Sequence, residues 1–484
     1  MKLEKLLEGV AVVNATACMD AEITSITDSS REVMDGGLFI AVVGYSTDGH
    51  RYIPDAISRG ARIVICEKEM PQGTEWVQVQ SARTAMAQIA ANFYGRPAEK
   101  MKMIGITGTN GKTSVTYLLK AVLEKTTGKK VGLIGTICKM IGDEVLHGER
   151  TTPGAMELQS VLKQMYDSGC AYVLMEVSSH ALAQERTAQI PFEIGAFTNL
   201  TQDHLDFHGS MEEYAQAKAL LFRQCKNGVF DTDTKYAQTM MHDATCTRMT
   251  VGWQKPAELM GKNIVLESDR IEMDVCCDEE CHHLRVGIPG RFTVSNCLLV
   301  LGIAKQLNLG LQEAVEALSQ AKGVKGRIEV VPTPGYDFTV LIDYAHTPDG
   351  LQNVLRSVRD FAKARIITVF GCGGDRDNTK RPTMGKDAAE LSDLVIVTSD
   401  NPRTEDPMKI IGDILGGMKN TNTPYIVEEN RRKAIRLALR LAEKDDMIVL
   451  AGKGHETYQI LGTEKTHLDE REEVAEALCE MQSH

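Results

Sequence analysis

The residues best suited to chemistry lie in one glycine-rich segment, Lys102–Ser114, where an apolar run leads into Gly-Ile-Thr-Gly-Thr-Asn-Gly-Lys-Thr. Its glycines permit a tight turn whose backbone amides can meet phosphate oxygens. Lys112 can reach a terminal phosphate, and the Thr113 hydroxyl can hold Mg²⁺. The spacing departs from GxxxxGK[ST], because the first glycine lies six residues before Gly111. The segment predicts a site for a nucleoside triphosphate.

Further polar side chains follow two other apolar runs. Glu176 lies near the end of Val173–Val177, with Ser178–His180 directly after it. Because parallel sheets present ligands at the carboxyl ends of their strands, Glu176 is predicted to hold magnesium; a carboxylate that caps the next turn is the alternative. Thr198–His208 contains two histidines and two aspartates. This density indicates a second part of the site, where zinc and a second magnesium both remain open and His204 is the favoured ligand.

Three segments near the C-terminus also follow apolar runs: Gly371–Asp377, Asp400–Arg403 and Gly452–Glu456. Arg376 and Arg403 offer planar guanidinium groups that can pair with carboxylates, and surface ion pairs are the alternative interpretation. Flexible backbone and a carboxylate in the last segment complement these arginines. Together the segments predict a site for a zwitterionic amino acid.

Two other groups are interpreted as structural. Lys218 lies on the helix predicted at Tyr214–Phe222 and, from its sequence context alone, is a solvated helix lysine. The segment Cys276–His283 contains three cysteines and two histidines in a spacing that fits no standard zinc site. Asp278–Glu280 is predicted to be the turn of a β-hairpin in which the cysteines are incidental.

Strands and helices that alternate along the chain predict an α/β protein of three domains: residues 1–97, 98–328 and 329–484. The central domain is predicted to be a doubly wound parallel sheet that carries the phosphate loop, and the last a Rossmann-like βαβ series. The predicted strands are Gly37–Val43, Ala61–Cys66, Val131–Ile137, Ala171–Val177, Ile194–Asn199, Phe338–Asp343, Arg365–Phe370, Leu394–Thr398 and Met447–Ala451. Helices are predicted at Tyr52–Arg59 and Arg431–Ala442.

The composition is that of a globular protein, with 484 residues of which 43% are hydrophobic. A net charge of -12, from 54 basic and 66 acidic residues, argues against general nucleic-acid binding. Twelve cysteines show no framework typical of secreted domains, and no signal peptide or membrane span is evident. We therefore expect a cytoplasmic protein with no membrane partner. A monomer is expected as well.

Seven motifs together closely resemble the Mur ligases over nearly the whole chain: GITGTNGKT at 105–113, MEVSSHAL at 175–182, TNLTQDHLDFH at 198–208, DYAHTPDGL at 343–351, GCGGDRD at 371–377, DNPR at 400–403 and GKGHE at 452–456. The resemblance implies ATP-dependent amide ligation in peptidoglycan precursor synthesis, with Mg²⁺ as cofactor and an acyl phosphate intermediate. UDP-N-acetylmuramoyl-L-alanyl-D-glutamate is the implied acceptor and meso-2,6-diaminopimelate the implied amino acid. DNPR is the pattern that the family associates with diaminopimelate, whereas relatives that add lysine differ within it.

The resemblance also implies roles for individual positions. Those for ATP are Gly108, Thr109, Asn110, Gly111, Lys112, Thr113 and Ser114, with Asn296, Arg327 and Asp343 at the adenosine. Those for the UDP-linked substrate, bound in part by the N-terminal α/β domain, are Ser30, Tyr45, Ser46, Thr47, Thr151, Thr152, Ser178, Gln184 and Arg186. Those for diaminopimelate are Arg376, Asp400, Asn401, Pro402, Arg403, Gly452 and Glu456. The catalytic positions are Lys112, Lys218 and His204, and the metal positions are Thr113, Glu176, His204 and Lys218, of which Lys218 matches the family's carbamylated lysine.

Two positions depart from the family pattern. Asp28–Arg31 reads Asp-Ser-Ser-Arg where the family usually has Asp-Ser-Arg, and Arg150 stands where some relatives have Asn. Three alternatives remain: a ligase of this type that adds L-lysine, a ligase resembling folylpolyglutamate synthase, and a phosphate-loop ATPase or nucleotide-switched binding protein.

Overall fold

The computed structural model describes residues 1–44, 47–68, 75–146 and 150–482. The chain forms two compact units, one of Met1–Val251 with Gly302–Leu309 and the other of Gly252–Leu301 with Gly310–His484. Strands and helices alternate in both units, which confirms the predicted α/β class. The finer division into residues 1–97, 98–328 and 329–484 stays a prediction. Within the described ranges, every helix is too short or too polar to serve as a membrane span.

Among the residues described, the first unit begins with a small sheet and three α-helices. Their bounds are α1 Leu3–Leu6, β1 Val12–Ala15, β2 Ile26–Thr27, β3 Gly37–Ile40, α2 Ile53–Ser58, β4 Ala61–Cys66, β5 Trp76–Val79 and α3 Ala82–Phe93. The strand order is β1-β5-β4-β3-β2, in which β1 is antiparallel to β5 and the other pairs are parallel. Helix α3 begins where the Ser81 hydroxyl accepts from the Thr84 amide, and its alanine-rich face packs on the sheet.

A larger sheet follows in the same unit. Its elements are β6 Lys102–Thr107, α4 Lys112–Thr127, β7 Val131–Ile134, β8 Lys139–Ile141, β9 Glu144–Leu146, α5 Ala155–Asp167, β10 Tyr172–Glu176, α6 Ser179–Ala183, β11 Phe192–Phe197, α7 Leu205–His208, α8 Met211–Ala219, β12 Cys225–Asp231, α9 Ala237–His242 and β13 Thr247–Gly252. The strand order in this unit is β9-β8-β7-β10-β6-β11-β12-β13. The six strands from β7 to β13 in that order are parallel. Strands β6, β7 and β10 are almost wholly apolar because helices cover both faces of the sheet.

Strand β6 lies between β10 and β11, and the register of these pairs positions the candidate site. Ile106 is opposite Glu176 on one side, and Thr107 is opposite Phe197 on the other. The chain therefore leaves all three strands at the same edge of the sheet, where the phosphate loop begins.

The second unit contains an antiparallel sheet and a parallel one. Its elements are β14 Leu259–Leu266, β15 Ile271–Cys277, β16 Glu280–Val286, α10 Arg291–Gln306, α11 Leu311–Ser319, β17 Glu329–Val331, β18 Thr339–Asp343, α12 Pro348–Arg359, β19 Ile366–Phe370, α13 Lys380–Leu391, β20 Leu394–Val397, α14 Pro407–Met418, β21 Tyr425–Val427, α15 Arg431–Leu441, β22 Met447–Ala451, β23 Tyr458–Leu461, β24 Glu464–His467 and α16 Glu470–Gln482. The division between the units falls within α10.

The parallel sheet of this unit has the order β17-β18-β22-β19-β20-β21, with β17 antiparallel at one edge. Helices α12, α13 and α14 contribute to the core on one face, and α15 and α16 to the core on the other. This arrangement is the Rossmann-like form predicted for the C-terminal region. Strands β23 and β24 form a separate two-stranded hairpin.

The predicted hairpin at residues 276–283 is confirmed, with β15 and β16 joined by a turn at Asp278 and Glu279. The interpretation of its cysteines as incidental is wrong. Cys276 and Cys281 are opposite one another in the register, with Cα atoms 4.1 Å apart, and they form a disulfide. The turn has two residues, whereas three were predicted from the sequence, and the two-residue turn places Cys276 opposite Cys281.

Candidate active site

The phosphate loop connects β6 to α4 through conformations that only glycine adopts easily. Gly108 has a φ of +147°, and a Cβ at this position would lie 1.9 Å from Thr198 Oγ1. Gly111 has a φ of +84° and is the residue before the first turn of α4. The Asn110 amide donates to Asn199 Oδ1 at 3.0 Å, so the segment after β11 supports the loop. The loop's backbone is therefore held ready to present amides at the start of a helix.

Two lysine ammonium groups meet at this loop. Lys112 Nζ donates to the carbonyl oxygens of Gly108 and Thr109, at 2.9 and 2.7 Å. Lys218 Nζ donates to the same Gly108 oxygen at 2.8 Å. Burial, together with the charge of Lys112, lowers the pKa of Lys218 well below its usual value. Because Lys218 is only 1% exposed, its interpretation as a solvated lysine is wrong: it shares the inward face of α8 with Tyr214, four residues earlier.

Glu176 is completely buried at the end of β10. Its Oε2 accepts from the Thr136 hydroxyl at 2.8 Å, and its Oε1 accepts from the Thr136 amide at 3.2 Å. A Cβ at Gly135 would lie 2.4 Å from Oε1, so the chain after β7 must approach without a side chain. The carboxylate of Glu176 and the hydroxyl of Thr113 are hard oxygen donors of the kind that Mg²⁺ prefers, so this donor set fits that ion.

The predicted histidine site is only partly assembled. His204 has a φ of +52° and a side chain 48% exposed, its amide donates to Asp203 Oδ1, and its ring is 4.8 Å from that of His180. His208 is buried and bonds Ser179 Oγ through Nε2 at 2.9 Å. Across residues 1–44, 47–68, 75–146 and 150–482, no three His, Cys, Asp or Glu side chains are grouped to hold a metal ion. The part of the metal site assigned to His204 therefore stays a prediction.

Four of the positions assigned to the UDP-linked substrate form one hydrogen-bonded group beside Glu176. Thr152 Oγ1 donates to the Glu176 carbonyl and accepts from the Ser178 amide, at 2.8 and 3.1 Å. Arg186 donates to the Thr152 carbonyl through Nη1 and to Gln184 Oε1 through Nη2, at 2.9 and 2.6 Å. Burial lowers the pKa of Arg186, assisted by neighbouring arginines. A cationic side chain is thus aligned close to the strand that ends in Glu176.

Two of the positions assigned to the uridine nucleotide, Ser30 and Thr47, lie between strands of the small sheet. Ser30 is 8% exposed and its hydroxyl bonds Asp55, while Thr47 Oγ1 is 3.3 Å from Tyr52 Oη. Tyr45 and Ser46 lie outside the described residues. Within the first unit, Thr84 Oγ1 of helix α3 donates to Glu185 Oε2 at 2.5 Å. Because Glu185 follows Gln184, this bond links α3 to the Gln184 group. Thr151 bonds Thr136 Oγ1 at 3.1 Å and so reaches the Glu176 group.

In the second unit, the three predicted amino-acid segments meet at the carboxyl edge of β19, β20 and β22. Arg403 Nη1 donates to the Gly374 carbonyl at 2.7 Å, and the Gly374 amide donates to the Asn401 carbonyl at 2.9 Å. Asn401 Nδ2 donates to Glu456 Oε2 at 3.0 Å. The structure therefore brings Asp400–Arg403 and Glu456 together with the Gly371–Asp377 loop. Arg376 is also in that loop and is exposed, and Pro402 is buried.

One of the residues assigned to adenosine in this unit, Asp343, is a buried carboxylate. Asp343, at the end of β18, accepts from the amides of Ile328 and Ala345 at 2.9 and 2.8 Å. Burial raises the pKa of Asp343, and the charge of Arg327 opposes that shift. The Arg327 guanidinium stacks 5.5 Å from the Tyr344 ring, and its buried Nε has no hydrogen-bond partner among the described residues. Asn296 is a buried residue of α10.

The sequence interpretation missed several residues that support these sites. Thr136 was missed because only the sheet order brings the end of β7 beside β10. Tyr344 and His455, whose rings are 4.9 Å apart, flank Arg327, and both lie within motifs that were already visible. Lys453 is the second residue of the visible motif GKGHE, and a lysine between two glycines was a usable signal.

Comparison with known proteins covers most of the chain. Residues 22–94 match the Mur ligase family catalytic domain, residues 106–304 the Mur ligase middle domain, and residues 326–454 the Mur ligase glutamate ligase domain. UDP-N-acetylmuramoyl-L-alanyl-D-glutamate--2,6-diaminopimelate ligase 1 of Clostridium acetobutylicum is 45% identical, over 99% of this chain and 100% of that protein. The Caldanaerobacter subterraneus subsp. tengcongensis protein named as the same ligase is 47% identical, over 99% of each. A solved structure of such a ligase has a TM-score of 0.75 and 29% identity, and the alignment covers 100% of this chain and 99% of that one.

Proposed function

The chain belongs to the Mur ligase family, and from this premise we propose that it is an ATP-dependent ligase that adds meso-2,6-diaminopimelate to the D-glutamate γ-carboxylate of UDP-N-acetylmuramoyl-L-alanyl-D-glutamate. Relatives 40–47% identical over nearly their full length are named for this activity. The observation that carries the proposal is the convergence of Lys112 and Lys218 on the Gly108 carbonyl, close to the strand that ends in Glu176.

Joining a carboxylate to an amine in water requires an activated acyl group, because the carboxylate resists attack. In the proposed first step the γ-carboxylate attacks the γ-phosphorus of ATP, and ADP leaves. Lys112 and the amides of the phosphate loop stabilise the charge that spreads over the transferring phosphoryl group. Arg186 and Thr152 orient the acceptor close to that group.

In the second step the amine of the amino acid attacks the acyl carbon, and inorganic phosphate leaves. The amine must first lose a proton, because only the neutral amine is a nucleophile. Arg403, Asn401 and Glu456 hold the amino acid through its carboxylate and ammonium groups. Asn296, Arg327 and Asp343 are proposed to bind the adenosine, since the unpartnered Arg327 Nε is suited to a ligand acceptor.

Magnesium is proposed as the cofactor, held by Thr113 and Glu176, with His204 and a carbamate on Lys218 as further ligands. When bound, it would neutralise phosphate charge and align the phosphates. The lowered pKa of Lys218 supports carbamylation, because only a neutral amine reacts with CO₂.

The reaction supports a cytoplasmic location, where ATP and UDP-linked sugars are available. The single chain carries all the residues required, so the proposal needs no second copy and we propose a monomer. The domain division 1–97, 98–328 and 329–484 then corresponds to binding of the UDP substrate, ATP and the amino acid.

Phosphate release with each acceptor and amine, singly and paired, tests the proposal. We expect release only when UDP-N-acetylmuramoyl-L-alanyl-D-glutamate and diaminopimelate are both present, with equimolar amide product. Release with lysine in its place would reassign the amine, and release with a folate acceptor would support a folylpolyglutamate synthase. Release without any acceptor would identify an ATPase. Transfer of ¹⁸O from the acceptor carboxylate into phosphate would demonstrate the acyl phosphate.

A further inference from the structure

Lys453 is a completely buried lysine in the loop after β22. Its Nζ donates to Glu456 Oε2 at 3.0 Å and to Asn401 Oδ1 at 3.2 Å, and it lies 3.9 Å from Asp400 Oδ1. The ring of Tyr458 is 5.6 Å from the same nitrogen. An ammonium group buried to this degree is stable only when it is paired and hydrogen-bonded, and these oxygen atoms supply that pairing.

The contacts of Lys453 determine how Asn401 is oriented. Asn401 Oδ1 accepts from Lys453 Nζ and from the Ile460 amide, the latter at 2.9 Å. Its Nδ2 is therefore directed at Glu456 Oε2, at 3.0 Å. If this amide were rotated by 180°, its Nδ2 would face two other donors, Lys453 Nζ and the Ile460 amide of strand β23. Lys453 and the hairpin β23–β24 therefore fix one orientation of Asn401.

Charge is the second consequence of this arrangement. Asp400 and Glu456 are both largely buried and share one ammonium group, so without Lys453 their like charges would repel each other across it. A side chain at position 452 could not separate them, because Gly452 has a φ of +109° and a Cβ there would lie 2.6 Å from Asp400 Oδ2. Lys453 thus offsets one of the two negative charges and leaves the other for a cationic ligand.

We propose that Lys453 is a positioning residue for the amino-acid substrate: together with Asn401 it holds Glu456 so that this carboxylate receives the substrate's ammonium group. This inference rests on the proposed function, because it takes the edge of β19, β20 and β22 to be the amino-acid site. Lys453 acts through its neighbours and does not itself touch the reacting atoms.

The test is steady-state kinetics of Lys453→Met, which keeps most of the side-chain length and removes the charge. We expect the KM for diaminopimelate to rise by about tenfold or more, with the KM values for ATP and the UDP-linked acceptor unchanged, because only the amino-acid site loses its arrangement. Lys453→Arg keeps the charge and should recover part of the loss. Lys465→Met is the matched control, because Lys465 is exposed and lies 3.6 Å from the ring of the same Tyr458; its KM values should equal those of wild type.

An unchanged KM for diaminopimelate in Lys453→Met would overturn the inference, and so would an equal loss for all three substrates together with a lowered Tm. If Lys453→Met does not fold, the single variant Glu456→Gln is compared with the double variant Glu456→Gln/Lys453→Met. The double variant should fold, because it no longer buries two carboxylates without the lysine that pairs with them. The inference predicts that removing Lys453 from the Glu456→Gln protein changes the KM by less than threefold, and a larger change overturns it. Failure of the proposed function is distinguishable, because the wild-type protein would then form no amide at all.

Discussion

The ammonium groups of Lys112 and Lys218 share one acceptor, the carbonyl oxygen of Gly108, at 2.9 and 2.8 Å. Burial of Lys218, together with the nearby positive charge of Lys112, lowers the pKa of Lys218. Lys112 is thus placed where a triphosphate would compete with the Gly108 carbonyl for its ammonium group.

We predict that Lys218 reacts with CO₂ to form a carbamate. Because its pKa is lowered, more of the amine is neutral at pH 7 than for an exposed lysine, and carbamate should increase as pH rises through that pKa. A carbamate ¹³C resonance with labelled bicarbonate should appear in wild type and disappear in Lys218→Met, with kcat reduced about 10²-fold or more. Lys226→Met, at an exposed lysine, should keep both the signal and the activity. If bicarbonate changed neither the activity nor the ¹³C spectrum of the wild-type protein, this prediction would be contradicted.

Gly108→Ala should abolish ATP binding, because the added Cβ would overlap Thr198 Oγ1 and the loop could not keep its conformation. Isothermal titration with ATP measures the effect. Gly128→Ala is the control: its φ is also positive, at +65°, but no atom lies within 4 Å of the added Cβ. That variant should lose only about 1–2 kcal/mol of stability and bind ATP normally. Normal binding by Gly108→Ala would show that the loop tolerates a side chain.

Glu176→Gln should lower kcat by about 10²-fold or more, because the neutral amide cannot balance the charge of Mg²⁺ near the phosphates. The Mg²⁺ concentration required for half-maximal activity should rise in parallel. Glu193→Gln, on β11 of the same sheet but paired with exposed Lys226, should leave both quantities unchanged. Equal Mg²⁺ dependence in Glu176→Gln and wild type would remove Glu176 from the metal site.

Arg403→Ala should raise the KM for diaminopimelate by about 10- to 100-fold, since a hydrogen bond to a charged group contributes about 1.5–3 kcal/mol. The KM for ATP should not change. Discrimination against lysine should also fall, because lysine lacks the second carboxylate that the guanidinium can pair with. Arg223→Ala, at an exposed arginine of the first unit, is the control. An unaltered KM in Arg403→Ala would exclude this residue from the amino-acid site.

The Cys276–Cys281 disulfide should stabilise the fold by about 2 kcal/mol, the low end of the usual range, because it closes a loop of only a few residues. Titration of the unfolded, unreduced protein should detect ten thiols, against twelve after reduction. Urea unfolding of Cys276→Ser/Cys281→Ser measures the difference in stability, and ligase activity should be retained. Twelve thiols without reductant would show that the bond does not form in solution.

Much of the parallel sheets was predictable, because strands covered on both faces appear as short apolar runs bounded by polar loops. Met447–Ala451 agrees at both ends. The strand predicted at Gly37–Val43 ends at Ile40 in the structure, because an apolar run does not show where backbone pairing stops. Lys218 was mistaken from its charge although Tyr214, one helical turn earlier, marks the same face as buried. Thr136 had no local signal, because its role depends on strands brought together only by the fold.

The pairing of β6 with β10 and β11 limits where residues can be inserted or deleted along the chain. Side chains alternate between the two faces of a strand, so deleting one residue within β10 would turn the carboxylate of Glu176 towards the opposite layer of helices, even if every motif stayed intact. Insertions in surface loops that carry no residue of the site have no such penalty. Homologous chains should therefore vary in length between the strands and hardly at all within them.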